Sequence, residues 1–339
     1  MAVNRYILSA IKKRDVDTAL QLLLTPGYEV NAEFGSKYSK STPLIYATKL
    51  GLLPIVDKLI SLGADVNWED KDKRTALHHA CIKDNVEIIQ LLLMSGANKY
   101  KSNEHGDQPI HESVINGNIP ALEELLLAGV DINSRNSITK YTPLHLAVLY
   151  EQEHVVEYLL QNNAKVDLPT SKSEGEVAIH YAVQVKKPSL IGVLIRYGAD
   201  INMMNSEGET PFSIAVQHCS FKMARMLISN GCDMNKYRYR SSFTIACLNN
   251  KQKIIRYLLS EGYQVSKDQS FRESIFLKLE TTNPELLDFI YYQCCNPYSL
   301  KDICRKFFRR NLPDPLEDIV PKLELPKQLQ NFIIADIIY

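Results

Sequence analysis

The sequence has few of the features that carry chemistry or cross a membrane. Its 339 residues contain 39 Lys and Arg against 39 Asp and Glu, so no global field favours nucleic acid or an anionic membrane. No apolar run is long enough to span a bilayer, and the N-terminus does not resemble a signal peptide. Glycine-rich phosphate loops, His-Glu-x-x-His motifs and Gly-x-Ser-x-Gly elbows are absent from the sequence. We therefore expect a non-catalytic protein without a cofactor.

What the sequence does contain is a six-residue motif, Thr-Pro-Leu-His-x-Ala or a variant, that returns every 31–35 residues. Its copies begin at Thr42, Thr75, Gln108, Thr142, Val177, Thr210 and Ser241. A second signature, Gly-Ala-Asp-Val-Asn or a variant, keeps the same period and begins at Gly63, Gly96, Gly129, Gly198 and Gly231. Such a period is typical of a linear repeat protein, in which each unit buries its core only against its neighbours.

Each part of the repeat predicts a local structure. Thr142 suits a helix N-cap and Pro143 the first helical position, where a missing N–H costs nothing. A second helix follows, with apolar residues at helical spacing over 154–160. Glycines such as Gly63 end that helix, and the polar Asp-Val-Asn stretch suits a turn or a hairpin arm. The sequence thus resembles the ankyrin repeat family over residues 1–268, which implies an all-α repeat solenoid.

Four segments are predicted from these patterns. Residues 1–41 form an N-terminal capping repeat, because a terminal unit needs a polar outer face and Lys12 and Lys13 supply one. Residues 42–268 form about seven ankyrin repeats, and residues 269–295 a degenerate last repeat or a linker. Asn296-Pro297 then breaks the chain, and residues 296–339 form a different module.

The histidines and cysteines are interpreted as structural. His78, His79, His111, His145 and His180 lie in or beside the motif, one or two per unit. They are expected to stack a repeat apart rather than converge on one zinc ion. The seven cysteines include no Cys-x-x-Cys pair. We predict reduced core thiols in a reducing compartment at Cys81, Cys219, Cys232 and Cys247.

The C-terminal module begins with a strongly amphipathic helix. One stripe at helical spacing holds Leu300, Ile303, Cys304, Phe307 and Phe308. The stripe could pack within its own domain or on the last repeat. Residues 296–339 are too few to bury all of the apolar side chains they carry. We therefore expect part of this surface to bind a partner.

The same helix resembles the elongin-binding box that opens a SOCS box: Ser299-Leu300, three residues, Cys304, three residues and Phe308. A downstream stretch resembles the cullin-binding box through Leu323, Leu325 and Pro326. The whole chain is therefore similar to the ankyrin repeat and SOCS box family, which implies a small three-helix SOCS box after the repeats. It departs from the family at Phe308, which replaces an aliphatic residue, and at Glu324, which replaces a proline.

The resemblance implies the substrate-recognition subunit of an elongin B/C–cullin-5 type RING ubiquitin ligase, with cullin-2 as the second choice. Leu300 and Cys304 would contact elongin C, and Leu325 and Pro326 would recruit the cullin and its RING protein. The protein is expected in the cytoplasm, with the nucleus as an additional location. Two other readings remain open. One is an ankyrin scaffold or inhibitor whose tail is a structural cap; the other is an enzyme or nucleic-acid binder.

A protein substrate is expected on the concave face and the loop tips, the least constrained positions of the array. Two tips combine aromatic and basic residues, which carry much interface energy. They contain Trp68 and Arg74 in the first case, and Tyr237, Arg238, Tyr239 and Arg240 in the second. The alternative is that Trp68 packs on a neighbouring hairpin and the arginines are solvated. The longer insertions at residues 34–41 and 168–176 are further candidate contact loops.

Overall fold

The computed structural model describes residues 2–25, 27–34, 41–171, 173–261 and 283–294, together with Tyr263, Val265, Asp268 and Leu279. The chain divides into two compact units, residues 1–200 and residues 201–339. Both are built from pairs of antiparallel helices. In the described residues, the only extended pairing is an isolated bridge between Phe34 and Ser41. The all-α prediction is therefore confirmed over this part of the chain.

The six-residue motif begins the first helix of each pair from α3 onward, as predicted, whereas α1 starts without it. Thr42, Thr142 and Thr210 are N-caps whose hydroxyls accept a hydrogen bond from a backbone N–H three residues on. A proline follows each of them at the start of the helix, where its fixed φ suits the fold. The local sequence therefore fixes where these first helices start.

Among the described residues of the first unit there are six helix pairs. They are α1 Ala2–Lys13, α2 Val16–Leu23, α3 Pro43–Leu50, α4 Leu53–Ser61, α5 Ala76–Lys83, α6 Val86–Met94, α7 Pro109–Ile115, α8 Ile119–Leu127, α9 Pro143–Leu149, α10 Glu153–Gln161, α11 Ala178–Gln184 and α12 Pro188–Arg196. The second unit holds α13 Pro211–Gln217, α14 Phe221–Ser229, α15 Ser242–Leu248, α16 Gln252–Ser260 and α17 Pro284–Cys294.

Within each unit the helices form two layers. The first helices of successive pairs pack side by side, as α3, α5, α7 and α9 do, and the second helices form the other layer. The core lies between the layers. In α4 it contains Ile55, Val56 and Leu59, and the same positions are buried in every later second helix up to α16. Most of the other positions of the second helices lie outside the core, with Leu160 of α10 and Val193 of α12 as buried exceptions.

Short turns join one pair to the next. Gly63, Gly96, Gly198 and Gly231 have φ between 80° and 86°, the left-handed region that glycine adopts without strain, so their predicted role is confirmed. Asn67 in the turn after Gly63 then accepts a hydrogen bond from the backbone N–H of Asn98 in the next repeat. Equivalent bonds run from Asn31 to Asp65, from Asn133 to Lys165 and from Asn202 to Asp233. The Asp-Val-Asn stretch is thus a turn that ties neighbouring repeats together.

The prediction for the cysteines is right at three positions and wrong at one. Cys81, Cys232 and Cys247 are buried, and burial raises the pKa of the Cys81 thiol. Cys219 is exposed with φ 57°. It lies just after α13, in the turn where Asn250 occupies the matching left-handed position after α15. The side chain at this position points away from the core, so Cys219 is not a core thiol.

Helix α17 extends the second unit beyond the last full pair. Leu286, Leu287 and Ile290 are buried, and α17 packs on α16. Asn283 Nδ2 also donates to Asn250 Oδ1 at 2.9 Å. The boundary between the repeats and residues 269–295 stays a prediction. Among the helices that the structure describes, none has the length and apolar character needed to cross a membrane.

Candidate functional site

Two histidines of the motif, His78 and His111, join neighbouring repeats. His78 Nδ1 accepts the N–H of Thr75 at 3.1 Å, and His111 Nδ1 accepts the N–H of Gln108 at 3.0 Å. Because Nδ1 accepts, the proton of the neutral ring is on Nε2. That nitrogen lies 3.1 Å from a carbonyl oxygen in the following loop, Asp107 O for His78 and Ser134 O for His111. The predicted structural role is therefore confirmed for these residues.

Burial also keeps these rings neutral. It lowers the pKa of His78, His111 and His145 to about 4, so each is uncharged at neutral pH. His145 and His180 accept the N–H of their own N-cap residues in the same way, each at 3.1 Å. In the described part of the chain, no group of three or more potential ligands could hold a metal ion. The candidate functional sites therefore lie on the surfaces of the array.

The first candidate tip, around Trp68 and Arg74, is occupied largely by internal contacts. Arg74 Nε lies 2.7 Å from Glu112 Oε1, which also accepts from Asn103 Nδ2 at 2.9 Å. The Glu112 side chain is 5% exposed and that of Arg74 is 24% exposed. Arg74 thus joins two repeats, and only the exposed edge of its side chain remains accessible to a substrate. The sequence gave no sign of Glu112 as its partner, because the two residues lie 38 positions apart.

Asp70 anchors the same tip from inside. Its Oδ2 accepts from His79 Nε2 at 2.8 Å and from Lys49 Nζ at 3.2 Å, while its Oδ1 accepts from the Arg74 backbone N–H. Burial raises the pKa of Asp70, but the hydrogen bond from His79 and the charge of Lys49 outweigh burial and hold the pKa below its usual value. Trp68, half-buried beside this cluster, stays a predicted contact.

The second candidate tip borders a groove in the second unit. The groove has a volume of about 1050 Å³. Two residues of the predicted strip, Tyr239 and Arg240, line it, and Tyr239 is 67% exposed. The rest of the lining consists of Ser206, Glu207, Gly208, Glu209, Ser213, Gln217, Ile245, Leu248 and Asn249. The groove therefore combines an aromatic ring, charges of both signs and an apolar floor.

The other two residues of the strip have structural contacts. The aliphatic stem of Arg238 packs so closely on Gly208 that a Cβ added there would lie 2.4 Å from the Arg238 Cβ. The Arg238 guanidinium lies 5.3 Å from the centre of the Tyr239 ring. Tyr237 donates its hydroxyl to Asp268 at 3.2 Å. Tyr237 and Arg238 thus shape the tip, and Tyr239 and Arg240 face the groove; substrate binding by all four stays a prediction.

The predicted elongin and cullin contacts lie outside the described residues. They are Leu300, Ile303, Cys304, Phe307 and Phe308 for elongin, and Leu323, Leu325 and Pro326 for the cullin. The substrate insertion at residues 34–41 is described only at its two ends, where Phe34 and Ser41 exchange backbone hydrogen bonds of 2.9 and 3.0 Å.

Comparison with protein families gives two matches along the chain. A family of ankyrin repeats matches three times, over residues 7–103, 110–205 and 179–269. The SOCS box family matches residues 296–334, the segment in which the elongin and cullin motifs were predicted. The ankyrin matches cover well over half of the chain.

Three individual proteins are similar to this chain in its repeat region. Human inversin is 29% identical over 154 residues, which are 44% of this chain and 14% of inversin, so the chain spans only a small part of that relative. The ankyrin repeat domain of Bcl-3 is 26% identical with a TM-score of 0.56, covering 60% of this chain and 93% of that one. The human ASB11 ankyrin repeat domain is 23% identical with a TM-score of 0.55, covering 65% and 98%.

The fold and the family matches agree. The helix pairs, their capping motifs and the turns that tie one pair to the next are those of ankyrin repeats, and the predicted fold class is confirmed. The chain belongs to the ankyrin repeat family, and the SOCS box that follows its repeats makes it an ankyrin repeat and SOCS box protein.

Proposed function

We propose that the protein is the substrate-recognition subunit of an elongin–cullin ubiquitin ligase. The observation that carries the proposal is the order of the two family matches in one chain, ankyrin repeats over residues 7–269 and a SOCS box over residues 296–334. The repeats supply a protein-binding surface and the SOCS box supplies the link to elongins B and C. The chain itself performs no covalent step in this proposal. It raises the effective concentration of a target lysine near the charged conjugating enzyme.

The elongin contact is assigned to the amphipathic helix at the start of the SOCS box. Leu300 would insert into an apolar pocket of elongin C, with Cys304 beside it on the same helix face. A buried anchor of this kind is an interface hot spot, worth about 2 kcal/mol or more on truncation. The polar positions of the same helix, such as Lys301 and Arg305, would face solvent.

The cullin is proposed to be cullin-5, recruited through Leu325 and Pro326 together with its RING protein. Glu324 stands where the cullin-binding box usually has proline. The substitution makes the backbone less rigid and puts a charge beside the contact. We therefore expect weaker cullin recruitment than in a family member with proline at this position.

The substrate is proposed to bind the groove of the second unit that Tyr239 and Arg240 line. An exposed tyrosine beside an arginine is a favourable anchor for a protein partner, because both residue types are enriched in hot spots. The apolar floor at Ile245 and Leu248 and the flanking Glu207 and Glu209 add contacts of other kinds. Trp68 and the exposed edge of Arg74 provide a second candidate contact on the first unit.

The elongin proposal is tested by capture with purified elongins B and C. The wild-type chain should form a stable complex. The double variant Leu300→Ala/Cys304→Ala should bind elongins B and C at least tenfold more weakly, because it removes a hot spot of the interface. Lys301→Ala/Arg305→Ala is the matched control on the same predicted helix and should bind like wild type. A folded wild-type chain that captures no elongin would leave an ankyrin scaffold or inhibitor whose tail is a cap.

Cullin choice is tested by adding cullin-5 or cullin-2 to the elongin complex. We expect cullin-5 to bind more tightly, and Glu324→Pro to strengthen that binding by restoring a rigid backbone. Tighter binding of cullin-2, or a Glu324→Pro variant that binds cullin-5 no better, would contradict this part of the proposal while leaving elongin binding intact.

The substrate groove is tested by comparing the proteins retained by wild type and by Tyr239→Ala/Arg240→Ala. Proteins lost from the variant but kept by a control, Tyr6→Ala, are candidate substrates; Tyr6 is also 67% exposed but lies far from the groove in sequence. Elongin retention must be unchanged. An identical set of retained proteins would exclude the groove as the substrate site.

A further inference from the structure

Second helices in the two units carry opposite charges, except for α12 of the first unit, which holds Arg196 and no Asp or Glu. Arg196 Nη1 lies 3.5 Å from Glu157 Oε1 of α10. In the first unit α4, α6, α8 and α10 hold one lysine, Lys58, against six acidic residues. We call these the acidic face: Asp57, Glu87, Glu123, Glu124, Glu153 and Glu157. In the second unit α14 and α16 hold no Asp or Glu. Their four cations are the basic face: Lys222, Arg225, Lys253 and Arg256.

The fold does not require this difference. Lys222 and Arg225 occupy the second and fifth positions of α14, and Lys253 and Arg256 occupy the same positions of α16; all four are exposed. In the first unit the same positions are acidic at Glu87 in α6 and at Asp57, Glu123 and Glu157 in α4, α8 and α10. The core positions are equivalent throughout. Both signs of charge are therefore compatible with the fold at these positions.

The basic face places like charges next to each other on each of its helices. Residues three apart on a helix surface are neighbours, and like charges at that spacing repel. This applies to Lys222 and Arg225, and again to Lys253 and Arg256. The two helices also pack against each other, which brings the two pairs onto one surface. An acidic partner would turn this repulsion into attraction.

Both faces also expose apolar side chains. Met94 and Leu127, the last residues of α6 and α8, are 80% and 82% exposed beside the acidic face. On the basic face, Phe221 is 36% exposed and contacts Tyr257 edge-to-face with ring centroids 5.3 Å apart. Contact between such surfaces removes apolar area from water. Charge complementarity then provides specificity and register.

We propose that the basic face of one copy of this chain binds the acidic face of a second copy. The two faces are built on the same repeat, so their charges recur at the same helical positions and along the same inter-repeat spacing. The chain itself therefore provides an acidic surface that matches the basic face. Nucleic acid is a poorer match, because the basic face is confined to two neighbouring helices and nucleic-acid binders carry a broader footprint. The proposal is independent of elongin binding.

The contact is heterologous, since different surfaces of the two copies meet. Such contacts give a closed assembly or an open chain, depending on the rotation between copies. Exposed ion pairs are individually weak and are screened by salt. We therefore expect reversible association that weakens as ionic strength rises.

The first experiment is sedimentation velocity of the full chain over a range of concentrations. In about 50 mM salt, where screening is weak, the mass should rise with concentration from the 38.6 kDa of one chain to at least twice that value. In about 500 mM salt the chain should sediment as a monomer. A wild-type chain that stays monomeric at every concentration in low salt overturns the proposal.

The second experiment reverses the charge of each face in a separate variant. The basic-face variant carries Lys222→Glu, Arg225→Glu and Lys253→Glu. The acidic-face variant carries Asp57→Lys, Glu87→Lys and Glu123→Lys. Each alone should be monomeric, because its two faces have the same sign, whereas an equimolar mixture should associate again. The mixture distinguishes direct pairing of the faces from a general effect of charge on solubility.

A matched control reverses three exposed lysines of the first unit that lie off both faces, and circular dichroism verifies that every variant is folded. The control carries Lys71→Glu, Lys83→Glu and Lys165→Glu, and it should associate like wild type. Variants that still associate alone, or a mixture that remains monomeric, overturn the proposal. Binding of duplex DNA by the wild type without self-association would also overturn it and would assign the basic face to nucleic acid.

Discussion

The two units are built from the same repeat, but different side chains cap the first helices of their pairs. In the first unit, His78, His111, His145 and His180 stand at the third helical position and accept the N–H of the N-cap residue. In the second unit Ser213 stands at that position. Its hydroxyl accepts the N–H of Thr210 and donates to the carbonyl of the same residue, both at 2.8 Å.

The serine and histidine side chains differ in how far they reach from the helix. The hydroxyl of Ser213 makes both of these bonds within its own turn. The imidazoles of His78 and His111 satisfy the same N–H and also bond, through Nε2, to a carbonyl of the following loop. His78 and His111 therefore each cap a helix and couple two repeats at once. We expect stronger coupling between repeats in the first unit, and greater sensitivity to acid.

The largest expected difference between the two units is their loss of stability in acid. The pKa of His78, His111 and His145 is about 4 in the folded chain, below the ordinary value of 6.5, so the unfolded chain binds more protons below pH 6.5. The contribution of these histidines to the free energy of unfolding is complete above pH 6.5 and is lost as the pH falls toward 4. Between pH 7.5 and pH 5 the loss is about 2 kcal/mol per histidine. The second unit has one histidine, His218, which is exposed.

This prediction can be measured by urea unfolding at the two pH values. Trp68 is the only tryptophan and lies in the first unit, so its fluorescence reports that unit, while circular dichroism reports both. The fluorescence midpoint should fall strongly at pH 5 and the remaining circular dichroism transition should shift less. Equal shifts of both signals would contradict the comparison.

Removal of one coupling histidine should have the next largest effect. His111→Ala leaves the N–H of Gln108 and the carbonyl of Ser134 without this partner in a fully buried position. We expect the free energy of unfolding to fall by about 2–4 kcal/mol. The measurement is the Trp68 fluorescence midpoint in urea at pH 7.5. A loss below about 1 kcal/mol would mean that the bond to Ser134 does not couple the repeats.

Ser213→Ala should cost less. It removes the bonds to the N–H and carbonyl of Thr210 but no contact with another loop, and alanine fills most of the space. We expect a loss of about 1–2 kcal/mol, measured by circular dichroism, with the Trp68 signal unchanged. A loss equal to that of His111→Ala would show that capping alone, rather than coupling, explains the histidines.

The smallest effect is expected at Cys219, which has φ 57° in an exposed turn. Asparagine tolerates the left-handed region better than cysteine does, and Asn250 already occupies the matching position after α15. Cys219→Asn should raise the free energy of unfolding by a few tenths of a kcal/mol. Thermal unfolding followed by circular dichroism measures it. Cys247→Asn, at a buried position, is the contrasting variant and should destabilise the second unit.

Much of the fold could be predicted because its signals are local. A threonine followed by proline starts a helix, and a glycine with positive φ ends one, wherever they occur in the chain. The error at Cys219 has the opposite origin. Its predicted burial rested on its place in the repeat, whereas its actual exposure follows from the turn that it occupies.

The candidate site was less predictable. The strip Tyr237–Arg240 was singled out by composition, but only the structure divides it into Tyr239 and Arg240 at the groove and Tyr237 and Arg238 within the tip. Arg74 was also singled out, and its bond to Glu112 could not be foreseen. Contacts between repeats join residues more than 30 positions apart, and the sequence pattern does not specify which side chains meet.

The sequence by itself determined the repeat, its period, its capping residues and the presence of a SOCS box after it, because these depend on neighbouring residues and on spacing. Only the tertiary structure decided which surface each charge occupies. The net charge of zero conceals an acidic face in the first unit and a basic face in the second. Stacking places equivalent positions of successive helices side by side, and charges that are scattered along the chain gather into a mostly acidic surface in one unit and a basic surface in the other.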